Sequence, residues 1–140
     1  MAWPGYLSLF FTVVLLVTTT YFLLGGLPLL VLQHDTPMDG RFVRRFFEIY
    51  YKALFAGAVG ACISYALWGR WFFALGGGGI ALVALALRRR VIPAMQRLGE
   101  AIQCDDRGAI TAFRRVHAAA LSANLLQLVL LVWAVLRITI

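Results

Sequence analysis

The stretch RRVHAAALSANLLQLVLLVWAVLR, residues 114–137, decides the fold. Between the arginine pair at its start and Arg137 at its end lie 21 residues, 116–136, none of them charged. A helix needs roughly 20 apolar residues to cross the hydrocarbon core of a bilayer. Lipid offers no water to the backbone, so such a run has to satisfy its own N–H and C=O groups as a helix. Three more runs of the same kind precede it, at about residues 6–32, 46–68 and 71–87. The expected architecture is all-α: a polytopic membrane four-helix bundle, with residues 1–140 forming a single four-span domain.

Composition agrees. The chain is 62% apolar and 14% charged, against roughly 45–50% and about 25% in soluble domains. The net charge of +7 does not point to nucleic acid. Twelve of the thirteen basic residues are arginines, and most flank apolar runs instead of forming a face with interleaved aromatics. The first run lacks a basic leader and is too long for a signal-peptide core, so it is expected to be a retained span. Cys62 falls inside an apolar run and Cys104 in a basic segment, so no disulfide is expected between them.

The arginines also indicate sidedness. Ten lie in the segments joining spans 1 and 2 and spans 3 and 4, and only Arg70 and Arg137 lie on the other side. Basic residues are retained in the cytoplasm. In a bacterial inner membrane, both termini are then expected in the periplasm and the arginine-rich loops in the cytoplasm. Trp3, Tyr6, Trp68, Trp71 and Trp133 suit an aromatic belt at the outer interface.

Between spans 3 and 4, Val91, Met95, Leu98 and Ile102 recur at helical spacing. They predict an amphipathic cytoplasmic helix, either separate from span 3 or continuous with it, a solvated connector whose apolar stripe faces lipid or, alternatively, a partner. Pro93 suits a first turn if a new helix starts there, and Asp105 and Asp106 suit the cap of span 4. Gly76 to Gly79 lack the Lys and Ser/Thr of a phosphate loop and are expected to serve close helix packing. Ala56, Gly60 and Ser64 form a similar small-residue ridge, and Gly25, Gly26 and Pro28 are expected to mark a kink.

Polar groups at membrane depth are candidates for function. The only histidines, His34 and His117, fall near the same leaflet and are candidate haem or metal ligands. Against this, Asp35, Thr36 and Pro37 make His34 look like part of a loop, and no third soft ligand accompanies the pair. Glu48 precedes Lys52 by four residues, a self-neutralising arrangement; the sharper alternative sets Glu48 opposite His117 as a proton-sensitive pair. Asn124 and Gln127 continue the His117 face of span 4. They are expected either to hydrogen-bond between helices or to wall a small-molecule pocket. The candidate polar site is thus His117, Asn124, Gln127 and Glu48. Tyr50, Tyr51 and the hydroxyls between Thr18 and Tyr21 identify no reaction.

Residues 113–136 resemble the last span of a bacterial family of uncharacterised four-helix membrane proteins. That family is related to the animal cisplatin-resistance-associated transmembrane protein and, loosely, to anthrone-oxygenase-like membrane proteins. Phe113, His117, Ser122 and Asn124 carry the resemblance, supported by Gly26 and Pro28, by FFEIYY (46–51) and by RRRVIPAMQRL (88–98). The resemblance implies a four-helix bundle; its oxygenase branch implies oxidation of an aromatic substrate near His117 and Asn124.

Three functions follow as expectations. The first is a non-catalytic accessory or assembly subunit of a larger membrane complex. The second is a membrane-embedded oxidoreductase holding haem, metal or a hydrophobic substrate near His34 and His117. The third is an oligomeric carrier or channel, ranked last because no span carries a charge at its centre. The expected partners are membrane lipids, other membrane subunits or further copies of the chain, with no nucleic acid.

Overall fold

The structure, a computed structural model, describes residues 3–31 and 36–139. Four helices account for nearly all of them: α1 (Trp3–Val31), α2 (Pro37–Leu67), α3 (Trp71–Gln103) and α4 (Arg107–Thr139). All four are long and apolar enough to cross a membrane, and together they make a multi-pass bundle. Each helix packs against two neighbours in the cyclic order α1, α2, α3, α4, leaving α1/α3 and α2/α4 as the diagonals. Leu9, Val17, Leu24, Leu82, Leu126 and Val129 are among the many large apolar side chains left on the outside. A bundle solvated by lipid needs that exterior.

The two short corners share one design. At the end of α2, Gly69 adopts φ +77°; its N–H bonds to Ala66 O at 3.0 Å and that of Arg70 to Tyr65 O at 2.9 Å. At the end of α3, Asp105 takes the left-handed conformation at φ +63°; its N–H bonds to Ile102 O at 3.1 Å and that of Asp106 to Ala101 O at 3.2 Å. Both are Schellman stops, which satisfy orphan carbonyls and reverse the chain. Asp106 then caps α4 by accepting from Gly108 N at 3.0 Å. The two aspartates expected to share the capping role therefore divide the work. At the start of α2, Thr36 accepts from Asp39 N at 3.3 Å, with Pro37 in the first turn.

Of the two arrangements open for residues 88–103, a separate helix or a continuation of span 3, the structure has the continuation, and its apolar stripe meets protein where lipid or a partner was expected. These residues continue α3 to a length of 33 residues, about 50 Å at 1.5 Å per residue. Val91, Met95 and Ile102 face inward and join the buried cluster containing Val43, Phe47 and Phe113. The cause is that α2 and α4 also extend beyond the predicted spans, starting at Pro37 and Arg107. The apolar stripe meets protein there instead of lipid. Pro93 is tolerated on the exposed side, beside exposed Arg89, whose carbonyl it leaves without a helical donor.

At the arginine-rich end, rings fill the centre. Phe22 of α1 stacks on Tyr50 (centroids 3.8 Å apart) and on Phe46 (5.3 Å), and meets Phe47 edge-on at 4.8 Å. Small residues close the α2/α3 seam: a Cβ on Gly77 would lie 2.9 Å from Cys62 N and 3.2 Å from Ala58 O. Lipid provides no hydrophobic drive between helices, so such backbone proximity is how they hold together. Gly26 likewise admits Leu121 of α4, and Gly60 admits Phe11 of α1. Ala56, grouped with Gly60 by its spacing, is exposed.

Candidate functional site

The buried polar residues of the bundle interior come from three helices: Ser8, Thr12 and Thr19 of α1, Ser64 of α2, and His117, Asn124 and Gln127 of α4. Asn124 Oδ1 accepts from Tyr50 Oη at 2.7 Å, a bond across the α2/α4 diagonal. Its Nδ2 donates to Ala120 O at 2.7 Å in its own helix. Tyr51 Oη is buried nearby and makes no hydrogen bond among the described residues. One turn along, Gln127 Nε2 donates to Thr19 Oγ1 at 3.3 Å. Asn124 and Gln127 thus join α4 to the diagonal α2 and the neighbouring α1.

His117 is wholly buried, its ring edge-on to Phe47 at 5.1 Å between centroids. Glu48 stands apart from this interior. It bonds to Lys52 at 3.1 Å and lies 3.8 Å from Arg88 of α3, with all three side chains substantially exposed. The self-neutralising arrangement is the one present, extended by a second cation that the sequence did not reveal. His34 lies outside the described residues, and so does any pairing of it with His117. Among the described residues no group of three His, Cys, Asp or Glu side chains gathers at one point. Cys62 and Cys104 are separate free thiols. Of the residues that carry the family resemblance on α4, Phe113, His117 and Asn124 are buried. Ser122 is exposed and returns its hydroxyl to Ala118 O at 2.9 Å.

Toward the opposite end, α3 and α4 enclose a cleft of about 590 Å³ that opens sideways. Gln127 lies at its inner end and Trp133 toward the outer end, with Thr12 and Tyr65 on the far wall. Gly76 and Gly79 belong to the α3 wall, and a Cβ on either would meet nothing within 4 Å. The run expected to serve close packing therefore does so mainly at Gly77; two of its neighbours leave space instead. Thr12 and Tyr65 hydroxyls lie 2.8 Å apart. Thr12 already commits its single hydrogen to Ser8 O at 2.8 Å, so Tyr65 is the donor to Thr12. The polar groups on the cleft wall are neutral: an amide, two hydroxyls and the indole N–H of Trp133.

The sequence reading missed the Thr12–Tyr65 pair and the cleft. A signal for the pair was present: Ser8, Thr12, Leu15, Thr19 and Phe22 follow helical spacing and all are buried. The cleft carries no such mark, because nothing in four consecutive glycines distinguishes the one that touches a neighbour from those that do not. No family profile, curated protein or solved structure matches this chain.

Proposed function

We propose that this protein binds a hydrophobic small molecule from the bilayer, holding it in the cleft between α3 and α4. The observation that carries this reading is the cleft itself. Its volume of about 590 Å³ falls within the roughly 300–1,000 Å³ of ligand pockets. Its lining is apolar apart from Gln127, Thr12, Tyr65 and the indole N–H of Trp133, and it opens between two membrane-spanning helices whose lining residues Leu75 and Leu126 are exposed. The matching ligand has a chain-like or flat apolar body and one carbonyl or hydroxyl group. Gln127 both lines the cleft and bonds Thr19, so a polar ligand atom would be read through a side chain already held in place. Neutral hydrogen-bonding groups suit binding and orientation.

The test is extraction of the purified protein with organic solvent, followed by mass spectrometry. Wild type is expected to release one apolar species in near-stoichiometric amount, and Gly79→Leu, which fills the cleft, to have lost it. The same bulk lipid mixture from both proteins would overturn the reading.

A second reading, the accessory subunit, is favoured by one feature: Gly76 and Gly79 present backbone to the bilayer, as helix-packing surfaces in membranes do. A helix of another subunit would then occupy the cleft, and crosslinks from Gly76 would map to that subunit. For orientation, we place the arginine-rich end in the cytoplasm and both termini outside. Ten arginines against two support this. Arg70 and Arg137 lie over the rings of Trp68 and Trp133 at 5.2 and 5.5 Å, which suits a membrane interface on either side.

A further inference from the structure

The cleft between α3 and α4 carries hydrogen-bonding groups at two levels. Gln127 bonds Thr19 at the inner level, and Tyr65 bonds Thr12 at the outer one. Thr12 precedes Thr19 by seven residues on α1, a separation of about 10 Å. Helix α4 runs antiparallel to α1, as the Gly26–Leu121 and Thr19–Gln127 contacts show. On it Trp133 follows Gln127 by six residues, about 9 Å in the same outward direction. Tyr65 and Trp133 therefore share the outer level, on different walls. We propose that the cleft binds the ring of a para-quinone, in its oxidised and its hydroquinone form alike, with an apolar tail leaving sideways into the bilayer. This rests on the reading of the cleft as a ligand site. To the one polar ligand group read at Gln127 it adds a second at the outer level.

The pairing of donors with acceptors is the first argument. Thr12 gives its only hydrogen to Ser8 O. Tyr65 therefore donates to Thr12 and serves the cleft as an acceptor alone. The Trp133 indole is a donor alone. The outer level thus offers one of each. At the inner level, the Thr19 hydroxyl can accept from the Gln127 N–H or donate to the Gln127 carbonyl. The amide can turn either end to the cleft and keep Thr19. Each level therefore serves a ligand carbonyl, which accepts, and a ligand hydroxyl, which donates. A quinone has a carbonyl at each end of its ring, and the hydroquinone has a hydroxyl in each place. A fatty acid would bring a carboxylate to a cleft lined by no cation. An alcohol with one hydroxyl would leave one level unused.

Spacing is the second argument. Oxygens in para positions on a ring lie about 5 Å apart, and a hydrogen bond of about 2.8 Å at each end brings the span to about 11 Å. The two levels of the cleft are about 9–10 Å apart along the helix axes, a difference that the side chains can bridge.

The shape of the α3 wall is the third. Phe73 stacks on Tyr65 with ring centroids 5.4 Å apart, which marks the outer level on α3. Gly76 and Gly79 follow three and six residues later, about 4.5 and 9 Å further in. They occupy the interval between the two levels, and a Cβ on either would meet nothing within 4 Å. A wall bare of side chains over that interval suits the face of a flat ring.

The test is native mass spectrometry of the purified full chain, titrated with a ubiquinone analogue bearing a decyl tail, with its hydroquinone kept reduced, and with farnesol, an apolar alcohol with one polar end. Both ring forms are expected to bind once per chain and about fivefold more tightly than farnesol, the effect of one further neutral hydrogen bond. Trp133→Phe removes the outer donor and is expected to weaken the quinone about fivefold while leaving the hydroquinone unchanged. Tyr65→Phe removes the outer acceptor and is expected to do the reverse. A substitution that merely loosened the bundle would weaken both forms alike. Gly79→Leu is expected to exclude all three compounds. Farnesol binding as tightly as the quinone, and still excluded by Gly79→Leu, would overturn the quinone assignment and leave the cleft standing as a ligand site. So would equal weakening of the two ring forms by either ring substitution. Quinone binding that survives Gly79→Leu, or no binding of any of the three, would overturn both.

Discussion

The same four helices pack in opposite ways toward their two ends. Toward the arginine-rich end, Phe22, Phe46, Phe47, Tyr50 and Phe113 fill the space between the helices. The extension of α3 adds Val91 and Met95 to that cluster. Toward the other end the α2/α3 seam is tight at Gly77, but α3 and α4 leave a cleft. Glycine shortens the distance between helices only where another backbone is positioned to use it. Where none is, the missing side chain becomes open volume. Rings work in the reverse sense, filling a diagonal gap that backbones cannot close.

Substitutions at the two ends should therefore differ in sign as well as size. The largest effect is expected at Phe22→Ala in the ring cluster, a loss of about 3 kcal/mol. This is toward the low end for such a change, because the unfolded reference in a membrane is lipid and little transfer from water is recovered. Detergent-denaturation titrations should show it as a shifted midpoint. Gly77→Ala comes next, at about 1–3 kcal/mol, because the new methyl would press on Cys62 N and Ala58 O, backbone atoms that cannot rotate away. Tyr50→Phe should cost about 1 kcal/mol by leaving Asn124 Oδ1 without its donor. A double-mutant cycle with Asn124→Ala should recover most of that amount as coupling. Gly76→Ala and Gly79→Ala should be neutral or stabilising by about 0.5 kcal/mol while narrowing the cleft. If Gly77→Ala and Gly79→Ala destabilise equally, the distinction between seam and cleft is wrong. The smallest effect is expected at Ser122→Ala, whose hydroxyl serves only its own helix on the exposed side.

Much of this was legible in the sequence, for identifiable reasons. Hydropathy and the flanking arginines depend on the bilayer alone, so the four helices could be placed without knowing their neighbours. The inward face of α4 was legible because Asn124 and Gln127 are polar amid an apolar run. The fate of residues 88–103 was not, since an apolar stripe looks the same whether it meets lipid or protein. Nor was the partner of Glu48 complete: Lys52 is local in sequence, while Arg88 arrives only once α3 packs on α2. The cleft was illegible for a related reason, because it depends on where α4 is not.

Tyrosines provide the most direct measurement. A fatty acid bearing a diazirine can be activated in proteoliposomes and its adducts mapped by mass spectrometry. Tyr65 faces the cleft; Tyr50 and Tyr51 lie in the ring cluster; Tyr21 is exposed on the outside of α1. All four have the same chemistry and differ only in access. Labelling of Tyr21 and Tyr65, with Tyr50 and Tyr51 spared, is the predicted result. Protection of Tyr65 equal to that of Tyr50 and Tyr51, or labelling of all four alike, would contradict a bundle that is closed at one end and open to lipid at the other.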